Sequence, residues 1–212
     1  MKFNLIFVCL LFSIISICYG NINFSEKIYE KSLVKNQHNS ILQDDEIEIG
    51  YIIEKFPWCH ASMEISYSIN SVLAVIKDVE NYYKFFDSLS LSKQNTDDVV
   101  HIRIDMPLPF SDRDYTVVFD EVIDGNEILY SYKAVVSKDF PEMKNCVRLV
   151  NAQGEWYLYE MDNNKTYVRY TWNGQMLGDF PKWGYKQAWT RQGNEIISCL
   201  AKEVERRYNA QN

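Results

Sequence analysis

Histidine and cysteine, the usual carriers of metal sites and nucleophiles, are scarce in this chain. Its 212 residues hold three histidines and five cysteines. His38, His60 and His101 are scattered, and a lone histidine is more often structural than catalytic. Beyond residue 20 the cysteines are Cys59, Cys146 and Cys199. They lie far apart with no C-x-x-C spacing, which argues against a zinc site. No disulfide framework is indicated. Two of the three could pair in an oxidising compartment, and burial as a small apolar residue is the expected fate of at least one. There is no G-x-S-x-G, no phosphate loop, no H-E-x-x-H and no G-x-G-x-x-G. The acids are many, but spacing singles out no pair of them. No catalytic group, metal or cofactor is therefore expected.

Positive charge is also in short supply. Lysine and arginine number 22 against 29 acids, for a net charge of −7. That balance excludes a nucleic-acid footprint and a polybasic membrane patch. It favours solubility. Only one long apolar run occurs, Leu5–Cys18, with Lys2 before it and Gly20 after it. It is shorter than the roughly 20 residues a membrane span needs. Residues 1–20 read as a secretory signal peptide, so the chain is expected to be exported, to a periplasm or outside the cell. An uncleaved N-terminal anchor is the other reading. Without residues 1–20 one lysine is lost and no acid, leaving 21 bases, 29 acids and a net charge of −8.

What the chain does have is apolar and aromatic mass. Apolar residues make up 47% and aromatics 15%, with 15 tyrosines, enough for one sizeable core. Residues 21–45 are polar and read as a linker or short helix. "EIEIGYIIEKF" and "SMEISYSI" alternate like strands, with Pro57 as the turn between them. Asn70 or Ser71 then caps a helix whose apolar stripe runs over residues 71–86. The polar stretch "SLSKQNTDD" breaks the pattern. Strands follow at 99–106, 114–122 and 127–136, the last two joined by a turn centred on Asp124-Gly125. "CVRLVNA", "EWYLYEM" and "KTYVRYTWN" continue an antiparallel meander. From Phe180 to Tyr208 the period is helical, and Gly193 is a place where that helix would bend.

These elements predict an α+β fold, a curved antiparallel sheet covered by one long C-terminal helix. A helix is only about 10–12 Å wide with its side chains. It cannot fill a broad curved sheet alone, so an internal hydrophobic cavity is expected.

Three stretches carry a resemblance. Pro107-Leu108-Pro109-Phe110-Ser111-Asp112-Arg113-Asp114-Tyr115 is similar to P-F-P-x-S-x-R-D-Y. "GQMLGDFPKWGYKQA" places Gly174, Gly178, Pro181 and Trp183 before a final helix. Tyr82-Tyr83-Lys84-Phe85-Phe86-Asp87 partly matches Y-R-x-x-W-D, with Tyr83 for arginine and Phe86 for tryptophan. Over residues 46–208 the chain resembles the START domains, the steroidogenic-acute-regulatory-related lipid-transfer family of the Bet v 1-like superfamily. The resemblance implies a helix-grip fold, a lipid-sized pocket, and transport or sensing of a lipid rather than catalysis. The implied partners are a lipid, sterol or phospholipid-like, and a membrane met transiently by a monomer. Tyr83 cannot supply the charge that would grip a phosphate, which tilts the expectation towards a sterol or another weakly polar lipid. A polyketide cyclase or aromatase of the same superfamily is the alternative, with His101 and Arg103 as its test residues.

The resemblance also suggests that Arg103 faces the pocket, although plain alternation puts Val100, Ile102 and Ile104 on one face and His101 and Arg103 on the other. Asp105 and Glu121 would be its partners. His101, Phe119, Trp156, Tyr170 and Trp172 are further candidates on the sheet. Trp183, Gln187, Asn194 and Ile197 are candidates on the last helix. Arg113, with Asp112 and Asp114, reads as a structural clamp on a sharp strand-to-strand bend.

Overall fold

The structure is a computed structural model that describes residues 39–43, 46–53 and 55–210. The expected signal peptide lies outside the described residues, as does most of the expected linker. The elements are β1 (Asn39–Gln43), β2 (Glu48–Ile53), β3 (Pro57–Ile65), helix α1 (Ile69–Ile76), a 3-10 helix (Val79–Lys84), β4 (Leu89–Gln94), β5 (Val100–Ile104), β6 (Asp112–Asp124), β7 (Glu127–Ala134), β8 (Cys146–Arg148), β9 (Gln153–Met161), β10 (Lys165–Asn173), a short 3-10 turn (Lys182–Gly184) and helix α2 (Tyr185–Asn209). One ten-stranded sheet has the order β1-β2-β3-β10-β9-β7-β6-β5-β4. β8 stands off this path and pairs in parallel with the start of β6.

Side-chain alternation decides what each strand buries. Ile49, Ala61, Tyr170, Trp156, Tyr130 and Val117 share the concave face with Val100 and Ile102, and all are buried. Their rings form a continuous aromatic layer. Trp156 and Tyr170 stand 4.3 Å apart, Tyr170 and Trp172 5.3 Å, and Phe119 and Tyr130 4.9 Å. α2 crosses this face with a stripe of Trp189, Gly193, Ile197, Leu200 and Val204. At about 1.5 Å per residue its 25 residues reach roughly 37 Å, long enough to span the sheet. Its C-terminal end is tied down by Arg207, which donates to Asp78 at 2.6 Å and to Glu203 at 2.7 Å.

Several expectations are corrected. Residues 39–43, read as linker or helix, form β1, an edge strand of the sheet. Pro57 does not sit in a turn but opens β3. The 71–86 stripe is two elements, because the chain leaves the α-helix at Lys77 and Asp78 and resumes as a 3-10 helix. Ser68, not Asn70 or Ser71, is the N-cap, and its side chain accepts from the Ser71 amide at 3.3 Å. The polar stretch after it is β4, an edge strand. Edge strands tolerate polar residues, since only one side pairs. Ser92 is buried there and donates its hydroxyl to the Val79 carbonyl. β8 departs from the simple meander. Asp124 pairs with Glu127, so the hairpin loop is Gly125-Asn126, one residue beyond the expected centre. Gly125 has φ +59°, which glycine adopts without strain. Gly193 is a place of close packing. A Cβ there would lie 3.1 Å from Trp172 and 3.2 Å from Ala61.

Candidate functional site

Among the described residues, cavities stand between the concave face and α2, and three of them bear on the site. The largest, about 510 Å³, is an outer chamber. It is bounded by the Met106–Phe110 corner, the loop from Asn173 to Pro181 and the first turns of α2. Two smaller hollows lie against the aromatic layer. One of about 40 Å³ is walled by Phe86, Phe119, Trp156 and Tyr170. The other, about 30 Å³, is walled by Tyr115, Leu149 and Trp172. Ile104 and Gln192 border all three and form the partition between them.

The walls are held by a cluster built on β6. Asp112, Arg113 and Asp114 alternate in direction, so the arginine points to the concave side and the two acids to the convex side. Arg113 is 1% exposed. Its Nε donates to the Met176 carbonyl at 3.0 Å, and its Nη2 donates to the Leu177 carbonyl at 2.9 Å and to Asp179 at 3.0 Å. Nη1 donates to the Ser111 carbonyl. The Ser111 amide and hydroxyl both donate to Asp179, at 3.0 and 3.1 Å. The Ser111 amide, with its hydroxyl and Arg113, holds the Asp179 carboxyl below its usual range. The clamp expected at the corner therefore reaches across the site, and ties β6 to the loop that delivers α2.

On the convex side Asp114 is 0% exposed. It accepts from Arg148 at 3.0 and 2.7 Å, and His101 Nε2 stands 2.8 Å from it. Burial pushes its carboxyl up, yet the bonds from Arg148 and His101 outweigh that and leave it below its usual range. Arg103 donates to Asp112, which also accepts from the Met106 amide at 2.9 Å.

The sequence candidates divide accordingly. Phe119, Trp156, Tyr170 and Trp172 line the inner hollows. Trp183 and Gln187 border the outer chamber. His101 and Arg103 lie on the far face, outside all three cavities, so their placement at the ligand is corrected. Ile102 and Ile104 take the inward positions of β5, and period two then turns His101 and Arg103 outward. Glu121, offered as a partner for Arg103, accepts instead from Lys77 at 2.8 Å. Asn194 is exposed and accepts from Ser198 at 3.3 Å, while Ile197 is fully buried between helix and sheet without lining a cavity. Sequence reasoning missed Gln192, Ile104, Tyr115 and Tyr132. Tyr115 shares a face with Phe119, and that alternation was the available signal.

Among the described residues no group of three or more His, Cys, Asp or Glu is placed to hold a metal ion. Cys59, Cys146 and Cys199 are free thiols. Burial pushes the Cys59 thiol far up and the Cys146 thiol to about 11, so neither is a ready nucleophile.

No family model and no curated protein matches the chain. Solved structures do. A STAR-related lipid transfer protein from Xanthomonas axonopodis superposes with a TM-score of 0.69 at 19% identity, over 79% of this chain and 98% of that one. Human STARD10 superposes with a TM-score of 0.75 at 14% identity, over 87% of this chain and 79% of that one. The Zhui aromatase/cyclase from Streptomyces sp. R1128 gives 0.50 at 14% identity, over 71% and 94%. The curved sheet, the long closing helix and these superpositions make this chain a START-type helix-grip fold.

Proposed function

We propose that the chain binds one weakly polar lipid in the space between sheet and α2 and transfers it between membranes. The carrying observation is the 510 Å³ chamber beside two aromatic-walled hollows, with Ile104 and Gln192 shared among all three. Pockets of about 300–1,000 Å³ with mostly apolar walls and a few polar groups are typical of small-molecule sites. Each buried methylene contributes about 0.8 kcal/mol, so a tail of about 16 carbons costs on the order of 12 kcal/mol to expose to water. A carrier has to enclose such a ligand, and this geometry supplies an enclosure with a mouth.

The rim of the mouth supports a transient membrane contact. Trp183 borders the chamber and is 84% exposed. Leu108, at the corner that also carries Pro107 and Phe110 into the wall, is 94% exposed. Large apolar side chains exposed around a cavity mouth fit the interfacial zone of a bilayer. Export through residues 1–20 belongs to the same reading, since a carrier between membranes works in an aqueous compartment. In a cyclase reading, general acid–base groups stand at the ligand. His101 and Arg103, its candidates, face the other way.

Native mass spectrometry of the protein purified without detergent tests the proposal. The expected result is one lipid per chain, released on organic extraction. A chain that carries no lipid, and takes none up from vesicles of mixed sterol and phospholipid, would overturn it.

A further inference from the structure

We propose that the 30 Å³ hollow is the seat of a single uncharged oxygen of the bound lipid, a hydroxyl or a carbonyl, and that Trp172, Tyr115 and Gln192 recognise it. This rests on the lipid-carrier reading above and assigns the ligand's polarity and orientation. Trp172 is 3% exposed, and its Nε1 has no hydrogen-bond partner among the described residues. An indole N–H can only donate. A buried donor left unpaired costs about 1–3 kcal/mol, and native structures rarely leave one without a reason. Burial pushes the Tyr115 hydroxyl well above its usual range. Gln192 is half-buried at the same hollow, and its amide can both donate and accept. All three side chains border the same hollow.

Size and charge narrow the ligand. A water-sized group needs roughly 10–15 Å³. A hollow of about 30 Å³ accepts one oxygen and its attached carbon, not a headgroup. No charged side chain lines it. In the outer chamber Arg113 makes four hydrogen bonds, to three carbonyls and to Asp179. The other charged groups there are Asp87, Asp105, Arg191 and Glu195, so acids outnumber the one remaining base. A phosphate would find no free counter-charge in the hollow and net repulsion outside it. A neutral lipid with one oxygen at its buried end meets three complementary groups. Its apolar body then lies along Ile104 towards the outer chamber. This places the buried polar contact on β6, β10 and α2, not on the charged face of β5.

The test uses the full chain with three probes: a polyene-fluorescent sterol with one hydroxyl, the matching hydrocarbon without it as competitor, and vesicles of fluorescent phosphatidylcholine. The variants are Trp172→Phe, which removes the N–H and keeps an aromatic ring, and Gln192→Leu, which keeps size on a half-exposed helix position and guards against a folding failure of the first. Each is expected to weaken the hydroxylated sterol about fivefold to tenfold, the worth of one uncharged hydrogen bond. Affinity for the hydrocarbon should stay within about twofold, and wild type should prefer the sterol to phosphatidylcholine. Equal weakening of both ring probes, or no change in either, would show that the hollow holds only a structural water and would overturn the assignment. Preference for phosphatidylcholine would overturn the neutral class. If wild type binds none of the three, the carrier reading itself fails.

Discussion

Replacing Arg113 by methionine tests whether one side chain holds the site together. The guanidinium is nearly inaccessible and serves the carbonyls of Ser111, Met176 and Leu177 besides Asp179. Its ion pair with Asp179 is not the main contribution. The Asp179 side chain is 43% exposed, and exposed pairs contribute about 0–1 kcal/mol. The cost lies with carbonyls left without their donor, about 1–3 kcal/mol for each that stays buried, and such losses are not additive. A total of about 3–5 kcal/mol is expected. For a domain of this size 1 kcal/mol shifts Tm by roughly 2–4 °C, so Tm should fall by about 6–20 °C. Arg113→Lys should recover less than half of the loss, because one ammonium cannot reach three carbonyls that a planar fork spans. Asp179→Asn should cost less than about 1 kcal/mol. Urea unfolding followed by tryptophan fluorescence measures all three. A loss below about 1 kcal/mol for Arg113→Met, or an equal loss for Asp179→Asn, would refute the clamp.

Two further outcomes are expected. Asp114→Asn should cost about 3–5 kcal/mol at pH 7, since Arg148 and His101 lose the carboxylate they share and one of its two accepting oxygens becomes a donor. A depressed carboxylate contributes stability above its unfolded pKa of about 4 and loses it as pH falls through the folded value. The gap between parent and variant in urea midpoint should therefore narrow below about pH 4, and a gap that persists unchanged at pH 3 would contradict this account. Leu108→Ser with Trp183→Ser should leave stability within about 0.5 kcal/mol per site, as both are exposed, while slowing lipid exchange between vesicles severalfold. Unchanged exchange rates would remove the rim from the membrane contact.

Much of the fold was legible because burial writes itself into period two and period 3.6. Val100, Ile102 and Ile104 alternate cleanly, and that pattern correctly turned Arg103 outward before the resemblance argued otherwise. Ile197, Leu200 and Val204 marked the closing helix in the same way. The failures sit where local pattern is weak. β4 is an edge strand with serines, so its apolar signal is diluted. The break at Lys77 and Asp78 falls inside an unbroken apolar stripe, and only the Tyr82 hydroxyl bonding the Ile76 carbonyl marks it. Gln192 escaped because it is a polar residue beside the buried stripe. Which strands frame a hollow is set by sheet order, which no short window contains.

That sheet order carries a consequence for synthesis. β3 has β10 as its second neighbour, and the rung between Ile65 and Thr166 joins residues 101 positions apart (166 minus 65). Until the ribosome has released β10, the early strands keep an open edge and the wall behind the aromatic layer does not exist. Assembly must wait for the C-terminal third of the chain, which makes for slow, late folding with an unprotected strand edge on display meanwhile.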